Sequence, residues 1–358
     1  MAELFYVVGG GPAGAGAALA ASRAGYRVVV LEAFDRLAFK PCGNAVPVLD
    51  SLVLRVPREA VLNRVRRARV WIDGVPVFES RGFVEGVEGL VVDKALLLES
   101  AFADARAELV LGAKYDVRRG VARVGGEIVD VKTGVFAGGF PYYDGEKVPI
   151  VQSIVRGVRD FDLDSVEIHY DSSLVGYYYV FPYGDKLEVG VGGYASPKEL
   201  EAMLWRFLEK DKRLRAGAVE STRFSQVSVG GPRPGRVKSL AKAGEAAGYV
   251  FPLTGEGIRP SALSGYIAAK AVAEGRDYVR ELEKSWVHRA VARQRRLLEI
   301  AASLSPGERG ELMRRLSARE HAEIALASFR LRELLSAIIK LALWKPRLAL
   351  SASRAVLA

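Results

Sequence analysis

The chain has 358 residues, half of them hydrophobic, enough for a sizeable core and more than one folding unit. Its single cysteine, Cys42, excludes an internal disulfide framework and any cysteine-rich zinc or iron–sulfur centre, and fits a reducing, cytoplasmic setting. The formal net charge of +10 points to acidic partners or anionic headgroups; no nucleic-acid-binding motif accompanies it, so no nucleic-acid partner is expected.

The start, MAELFYVVGGG, has no basic stretch before its apolar run and does not read as a signal peptide. LFYVVGGGPAGAGAALAASRAGYRVVVLEAF reads as strand, glycine turn, helix, strand. Gly9, Gly11 and Gly14 form G-x-G-x-x-G. The first glycine allows the tight turn, the second lets a pyrophosphate approach the backbone, and the third permits close helix–strand packing. The helix N-terminus offers free N–H groups to the phosphates. Glu32 closes the second strand about 20 residues on, where an acid accepts hydrogen bonds from ribose hydroxyls and disfavours a 2′-phosphate. Ala13 in the turn and Ala33 after the acid belong to the same expected contact surface.

FKPCGNAVP follows, with Cys42 in a turn-forming stretch that should pass near the nucleotide. Gly43 lets the backbone approach it. Further on, Tyr177, Tyr179 and Phe181 of GYYYVFP fall on one side of a predicted strand, an aromatic wall suited to a flat apolar chain. LEVGVGGYASPKEL is glycine-rich through Gly190, Gly192 and Gly193 but lacks the G-x-x-G spacing and a ribose acid. It reads as strand and turn leading to a Ser196-Pro197 helix start. The chain therefore holds one nucleotide site and no separate nicotinamide domain.

AKAGEAAGYVFPLTGEGIRPSALSGYIAAKAVAEG is the second strong signal, and it selects FAD. Glu245 is placed to reach the ribityl hydroxyls. Pro252, Gly255 and Gly257 shape a loop that passes the isoalloxazine ring, and the helix from Ile258 points its positive end at the flavin. From about Tyr278 the chain turns to charged amphipathic helices broken at Ser305-Pro306-Gly307. The last apolar run is too short for the roughly 20 residues that span a bilayer. It is flanked by Arg330, Arg332, Lys340, Lys345 and Arg347, a pattern that fits a helix lying in a membrane interface or one capping a substrate tunnel. His169, His288 and His321 lack metal-ligand spacing, and no metal is expected.

Together these pieces resemble the FAD-dependent geranylgeranyl reductase family, within the p-hydroxybenzoate-hydroxylase-like flavoproteins. KPCGNAVP is similar to its K-P-C-G-x-A-[IV] stretch, GYYYVFP to its Y-x-W-x-F-P, and PLTGEGIRPSALSG to its P-x-x-G-x-G-I-x-x-A-x-x-S-G. Lys94, in LVVDKALLLESAFADA, stands where such flavoproteins place an arginine on the FAD. Tyr179 stands where the family has tryptophan, Glu245 where it has aspartate, and DVKTGVFAGG keeps only Thr133 and Gly134 of a longer motif.

The resemblance implies an α/β fold: a Rossmann-type FAD-binding domain (1–60, 88–140 and 236–277), an antiparallel-sheet substrate domain (61–87 and 141–235) and a C-terminal helical region (278–358). It implies reduction of isolated C=C bonds in geranylgeranyl chains of lipids or diphosphates, with Cys42, Tyr177, Tyr179 and Phe181 at the reacting centre. The electron donor stays open among a ferredoxin, a deazaflavin and a nicotinamide, and peripheral membrane contact is compatible with such a substrate. A flavin monooxygenase and a flavin- or lipid-binding protein without turnover are the competing readings; the W-x-W-x-W-x-P run of halogenases is absent.

Overall fold

The computed structural model describes residues 3–84, 86–328, 331–346, 349–350 and 353. Two large sheets divide the architecture. The first has six strands in the order Gly235–Val237, Leu240–Lys242, Gly134–Phe136, Leu4–Val8, Arg27–Leu31, Glu108–Val110. All neighbours run parallel except the first pair. Its central strands read as unbroken apolar runs because helices cover the sheet. Phe5, Val7, Val30 and Val135 are fully buried.

Two helices, Pro12–Arg23 and Ile258–Ala273, pack on this sheet and on each other. Their small residues let the backbones touch. A Cβ on Gly16 would lie 1.9 Å from the Ala262 carbonyl oxygen, and one on Gly265 would lie 2.0 Å from that of Ala13. This contact locks the glycine turn near residue 10 to the segment near residue 257, some 250 positions away in sequence.

The second sheet has seven strands: Ala218–Ser228, Lys147–Arg156, Lys186–Gly193, Gly176–Tyr183, Ser165–Tyr170, Arg67–Ile72, Val75–Arg81. It is antiparallel apart from one parallel pair, Ser165–Tyr170 with Arg67–Ile72. One face carries Val180, Val189 and Val191 under the helix Pro197–Lys210, which opens with a Ser196–Glu199 capping box. The other face carries Tyr177, Tyr179 and Phe181 and looks onto the nucleotide side. Two three-stranded sheets, Ala45–Pro47/Gly89–Val92/Val61–Val65 and Lys114–Asp116/Val121–Val124/Glu127–Asp130, complete the β-structure.

Helices Tyr278–Lys284, Trp286–Ser303, Pro306–Arg315, Ala318–Leu326 and Leu331–Trp344 wrap the open end. Buried polar groups tie them to the core. Gln294 accepts from the Leu253 N–H at 3.1 Å and donates to the Ile324 carbonyl at 2.7 Å. Arg259, 2% exposed, grips Glu256 with two bonds of 2.9 Å and reaches the Leu326 carbonyl at 3.0 Å. No helix among the described residues is long and apolar enough to cross a membrane.

Candidate active site

One cavity of about 1120 Å³ lies between the two large sheets and runs on beneath the C-terminal helices. Every site residue expected from the sequence lines it except Gly14. Gly14 sits beneath the turn instead: a Cβ there would meet the Gly9 carbonyl oxygen at 2.0 Å.

The glycine turn is shaped for a phosphate-bearing ligand. Gly9 has φ +109°, and a Cβ on it would strike the Ala137 carbonyl oxygen at 2.3 Å, so only glycine fits. Gly11, the N-cap of its helix, makes no side-chain cap and faces open space. The first helical turns after Gly11 and after Gly257 contain no acidic residue. Their free N–H groups and positive ends are available to anionic or electron-rich groups. Glu32 accepts from the Gly10 N–H at 2.6 Å and from the Phe34 N–H at 3.0 Å, which fixes the carboxylate on the turn. Ala33 follows it on the cavity edge.

The loop with Cys42 closes over this turn. Lys40 forms an ion pair with Glu245 at 2.7 Å, and Glu245 also accepts from the Ser228 N–H at 3.2 Å. Lys94, the first residue of its helix, donates to the Lys40 carbonyl at 2.7 Å. Lys94 and Glu245 therefore meet through Lys40, a residue that was not singled out from the sequence. The half-buried Cys42 accepts from the Asn44 N–H at 3.5 Å. Gly43 lets the loop approach the wall; a Cβ there would lie 3.0 Å from the Phe181 ring.

The wall itself is a ladder of rings. Tyr177–Tyr179 and Tyr179–Phe181 centroids are 6.5 and 5.0 Å apart. Tyr177 donates to the Thr254 carbonyl, which joins the wall to the loop holding Pro252 and Gly255. The Tyr179 hydroxyl donates to Gln152 Oε1 at 2.8 Å. It reaches across because Gly190 lies between the two strands without a side chain; a Cβ would sit 2.4 Å from the phenol carbon. Burial raises both phenols well above their ordinary value, helped for Tyr179 by the neighbouring Glu188 and Cys42. Both stay neutral at any working pH.

Beyond the wall the cavity runs under the C-terminal helices, past the apolar Leu312, Met313, Leu316, Ile338 and Leu341, with Arg309, Glu320, His321, Glu323 and Glu333 also on its lining. Of the histidines, His321 lines the cavity and packs against Phe78, whereas His169 stacks on Trp71 and His288 bonds Tyr249.

Comparison with known proteins places this geometry. Residues 5–54, from the first strand through the Cys42 loop, match the family described as glucose inhibited division protein A. Digeranylgeranylglycerophospholipid reductase 2 of Methanopyrus kandleri is 30% identical over 303 residues, 75% of this chain and 76% of the relative. The chain belongs to the geranylgeranyl reductase family. It is an FAD-dependent oxidoreductase. A further member, geranylgeranyl diphosphate reductase of Rhodobacter capsulatus, is 28% identical over 74% of each chain. In fold, the chain superposes on a geranylgeranyl bacteriochlorophyll reductase-like protein of Thermoplasma acidophilum with a TM-score of 0.82, at 22% identity, over 99% of this chain and 100% of the other.

The family's cofactor fits the residues present. The uncapped turn at Gly11, the Gly9 and Gly255 backbones at positive φ, and the second uncapped helix at Gly257 form one cradle with Glu32 at its edge.

Proposed function

We propose that this reductase hydrogenates isolated C=C bonds in geranylgeranyl chains of membrane lipids or their diphosphate precursors. The observation that carries the reading is one cavity joining the nucleotide turn, the Tyr177–Tyr179–Phe181 wall and a chamber with a largely apolar lining. The Methanopyrus and Rhodobacter relatives, named for a prenylated phospholipid and a prenyl diphosphate, support the substrate class.

FAD, when bound, supplies the hydride. The chain's own residues do the rest. Gly9, Gly11, Ala13 and Glu32 hold the dinucleotide end, and Lys94, Glu245, Pro252, Gly255, Gly257 and Ile258 hold the flavin end. The three rings orient a flat chain and exclude water. An unactivated alkene also needs a proton. The buried phenols hold theirs tightly, and Cys42, on the loop that Gly43 brings against the wall, is the proposed donor.

The test is mass spectrometry of a geranylgeranyl lipid after incubation with dithionite-reduced holoprotein. Hydrogenated chains are expected; oxygenated product formed with NAD(P)H and O₂, without hydrogenation, would overturn the reading in favour of a monooxygenase. Cys42→Ser and Cys42→Ala are expected to lower turnover by more than about tenfold while FAD stays bound. Undiminished turnover removes Cys42 from proton delivery. A ferredoxin, a deazaflavin and a nicotinamide are the donors to compare in place of dithionite, and the net charge of +10 favours an acidic protein.

The proposed seat on the membrane is the helix Leu331–Trp344. Leu335, Ile339 and Leu343 form one stripe, 48%, 58% and 85% exposed. Lys340 and Lys345 are engaged by Glu320 and Glu308, so the stripe, rather than those charges, makes the contact. Arg330 and Arg347 lie outside the described residues, and nothing is assigned to the Arg332 side chain. Vesicle flotation should fall when the three stripe residues are changed to serine; equal flotation refutes the seat.

A further inference from the structure

Behind the aromatic wall lies a carboxyl group that the proposed reaction does not use. Glu188 is 2% exposed on the strand Lys186–Gly193, directly across from Phe181 and on the face that carries Tyr179. Asn44 Nδ2 donates to its Oε1 at 2.7 Å, and Gln152 Nε2 donates to the same oxygen at 3.1 Å. The other oxygen, Oε2, is sealed from solvent and has no hydrogen-bond partner among the described residues.

Those two amides are also the supports of the wall. Gln152 receives the Tyr179 hydroxyl through its Oε1, and Asn44 gives its backbone N–H to Cys42. One carboxyl group thus anchors both the ring that replaces the family's tryptophan and the turn that carries the thiol.

The charge state follows from the surroundings. Lys94 acts on this carboxyl from its helix, Tyr179 and Tyr183 on the neighbouring strand feel it in turn, and Cys42 of the loop acts on Tyr179. Asp93 acts beside Tyr183. The one cation among them, Lys94, gives its ammonium a hydrogen-bond partner elsewhere, at the Lys40 carbonyl. A carboxylate with one oxygen wholly unpaired in a sealed wall carries a heavy desolvation cost, whereas a neutral acid carries little. Burial accordingly pushes the Glu188 carboxyl up to about 8, against the opposing pull of Lys94 and the two amide bonds.

We propose that Glu188 is a positioning residue of the reductase site: as a neutral acid it holds Tyr179 through Gln152 and the Cys42 turn through Asn44, while adding no charge to the pocket. The proposal rests on the reading that this wall faces the flavin. Ionisation would place a negative charge behind an apolar wall. It would oppose any negative charge that develops on the cofactor side during reduction.

The experiment uses FAD-loaded wild type, Glu188→Gln and Glu188→Ala. Infrared spectra without substrate should show a protonated-carboxyl C=O band at about pH 7 that fades as pH rises through about 8 and is missing in both variants. The flavin midpoint potential of wild type should fall more steeply with pH above that point than the potential of Glu188→Gln. In prenyl-lipid turnover, Glu188→Ala should lose roughly tenfold, because two buried amides lose their acceptor, and Glu188→Gln should restore most of it. The ratio of Glu188→Gln to wild-type turnover should rise toward alkaline pH.

Absence of the band in wild type at about pH 7 overturns the neutral acid. Identical pH dependence of the potential in wild type and Glu188→Gln overturns its link to the flavin. The spectroscopic and potential readings need no prenyl lipid. A failure of prenyl hydrogenation therefore leaves them standing and counts against the substrate assignment alone.

Discussion

Two buried glutamates stand on opposite faces of the seven-stranded sheet, and the chain treats them in opposite ways. Glu167 pairs across strands with Val180, and Glu188 with Phe181, the next residue, so their side chains leave the sheet on different sides. Both are almost fully buried, at 0% and 2% exposure. Glu167 receives a two-pronged Arg213, both bonds 2.9 Å, and the His169 ring at 3.1 Å. Burial pushes its carboxyl up, but the bonds from His169 and Arg213 outweigh it and bring the group down to about 2. Glu188 meets only amides and is pushed up to about 8. Burial is common to both; the difference lies in whether a cation is built opposite. The face with the ion pair packs a helix, and the face with the neutral acid lines the cavity.

The largest expected effect breaks the ionic side. Arg213→Ala leaves the Glu167 carboxylate only His169 at 3.1 Å and Arg69 at 3.8 Å, and should cost about 3 kcal/mol of stability, read as a shift in the denaturant midpoint. FAD absorbance should persist in the folded variant. A loss below about 1 kcal/mol would mean that Glu167 takes up a proton or that Arg69 and His169 suffice to hold it, and the weight given to Arg213 would collapse.

Next comes the cavity side. Gly190→Ala puts a methyl group into the Tyr179 ring and should cost about 1–3 kcal/mol. Because it tilts the wall, prenyl turnover should fall by more than about tenfold with FAD retained. If turnover survives, Tyr179 does not set the substrate's position.

The smallest effect is the dependence of stability on pH, and here the two glutamates have opposite signs. Glu167 is held below its ordinary value of 4.5, so its contribution is present above that value and is lost as pH falls toward about 2. Glu188 is held above the same value, so its contribution is present below 4.5 and is lost as pH rises through about 8. Midpoints measured across pH should show that Glu188→Gln flattens the decline between 4.5 and about 8 and leaves the acid limb in place. An unchanged decline over that range in the variant assigns it to another group.

Local pattern made much of this architecture legible. Strand, glycine turn, small-residue helix and closing acid are consecutive, and each step has one geometric solution, so the nucleotide turn could be read from residues 4–32. The period of two in GYYYVFP put Tyr177, Tyr179 and Phe181 on one face. Ser196 and Pro197 announced a helix start, and Glu199 completes its capping box. What escaped was pairing over long separations. Lys40 and Glu245 are 205 positions apart, and nothing near either one signals the other. Glu188 escaped for a different reason. In KLEVGVGG it alternates with Leu187 and Val189, as a solvent-facing residue of a half-buried strand would. Here both faces are covered, one by the helix Pro197–Lys210 and the other by the Cys42 loop. The two glycines that follow on its face were the available clue, since they leave room for something large to lie against that strand.

The ion pair between Lys40 and Glu245 has a thermodynamic consequence. It fastens the loop bearing Cys42 to the segment proposed to receive the flavin, so on that proposal retention of the cofactor and seating of the loop become one linked equilibrium. Linkage of that kind is reciprocal: whatever factor FAD adds to the affinity for a prenyl chain at the wall, the chain must return to the affinity for FAD. With the loop seated by both ligands, the enzyme is then expected to bind its flavin more tightly when lipid is present. Lys40→Met should uncouple the two, so that the FAD dissociation constant no longer responds to added lipid.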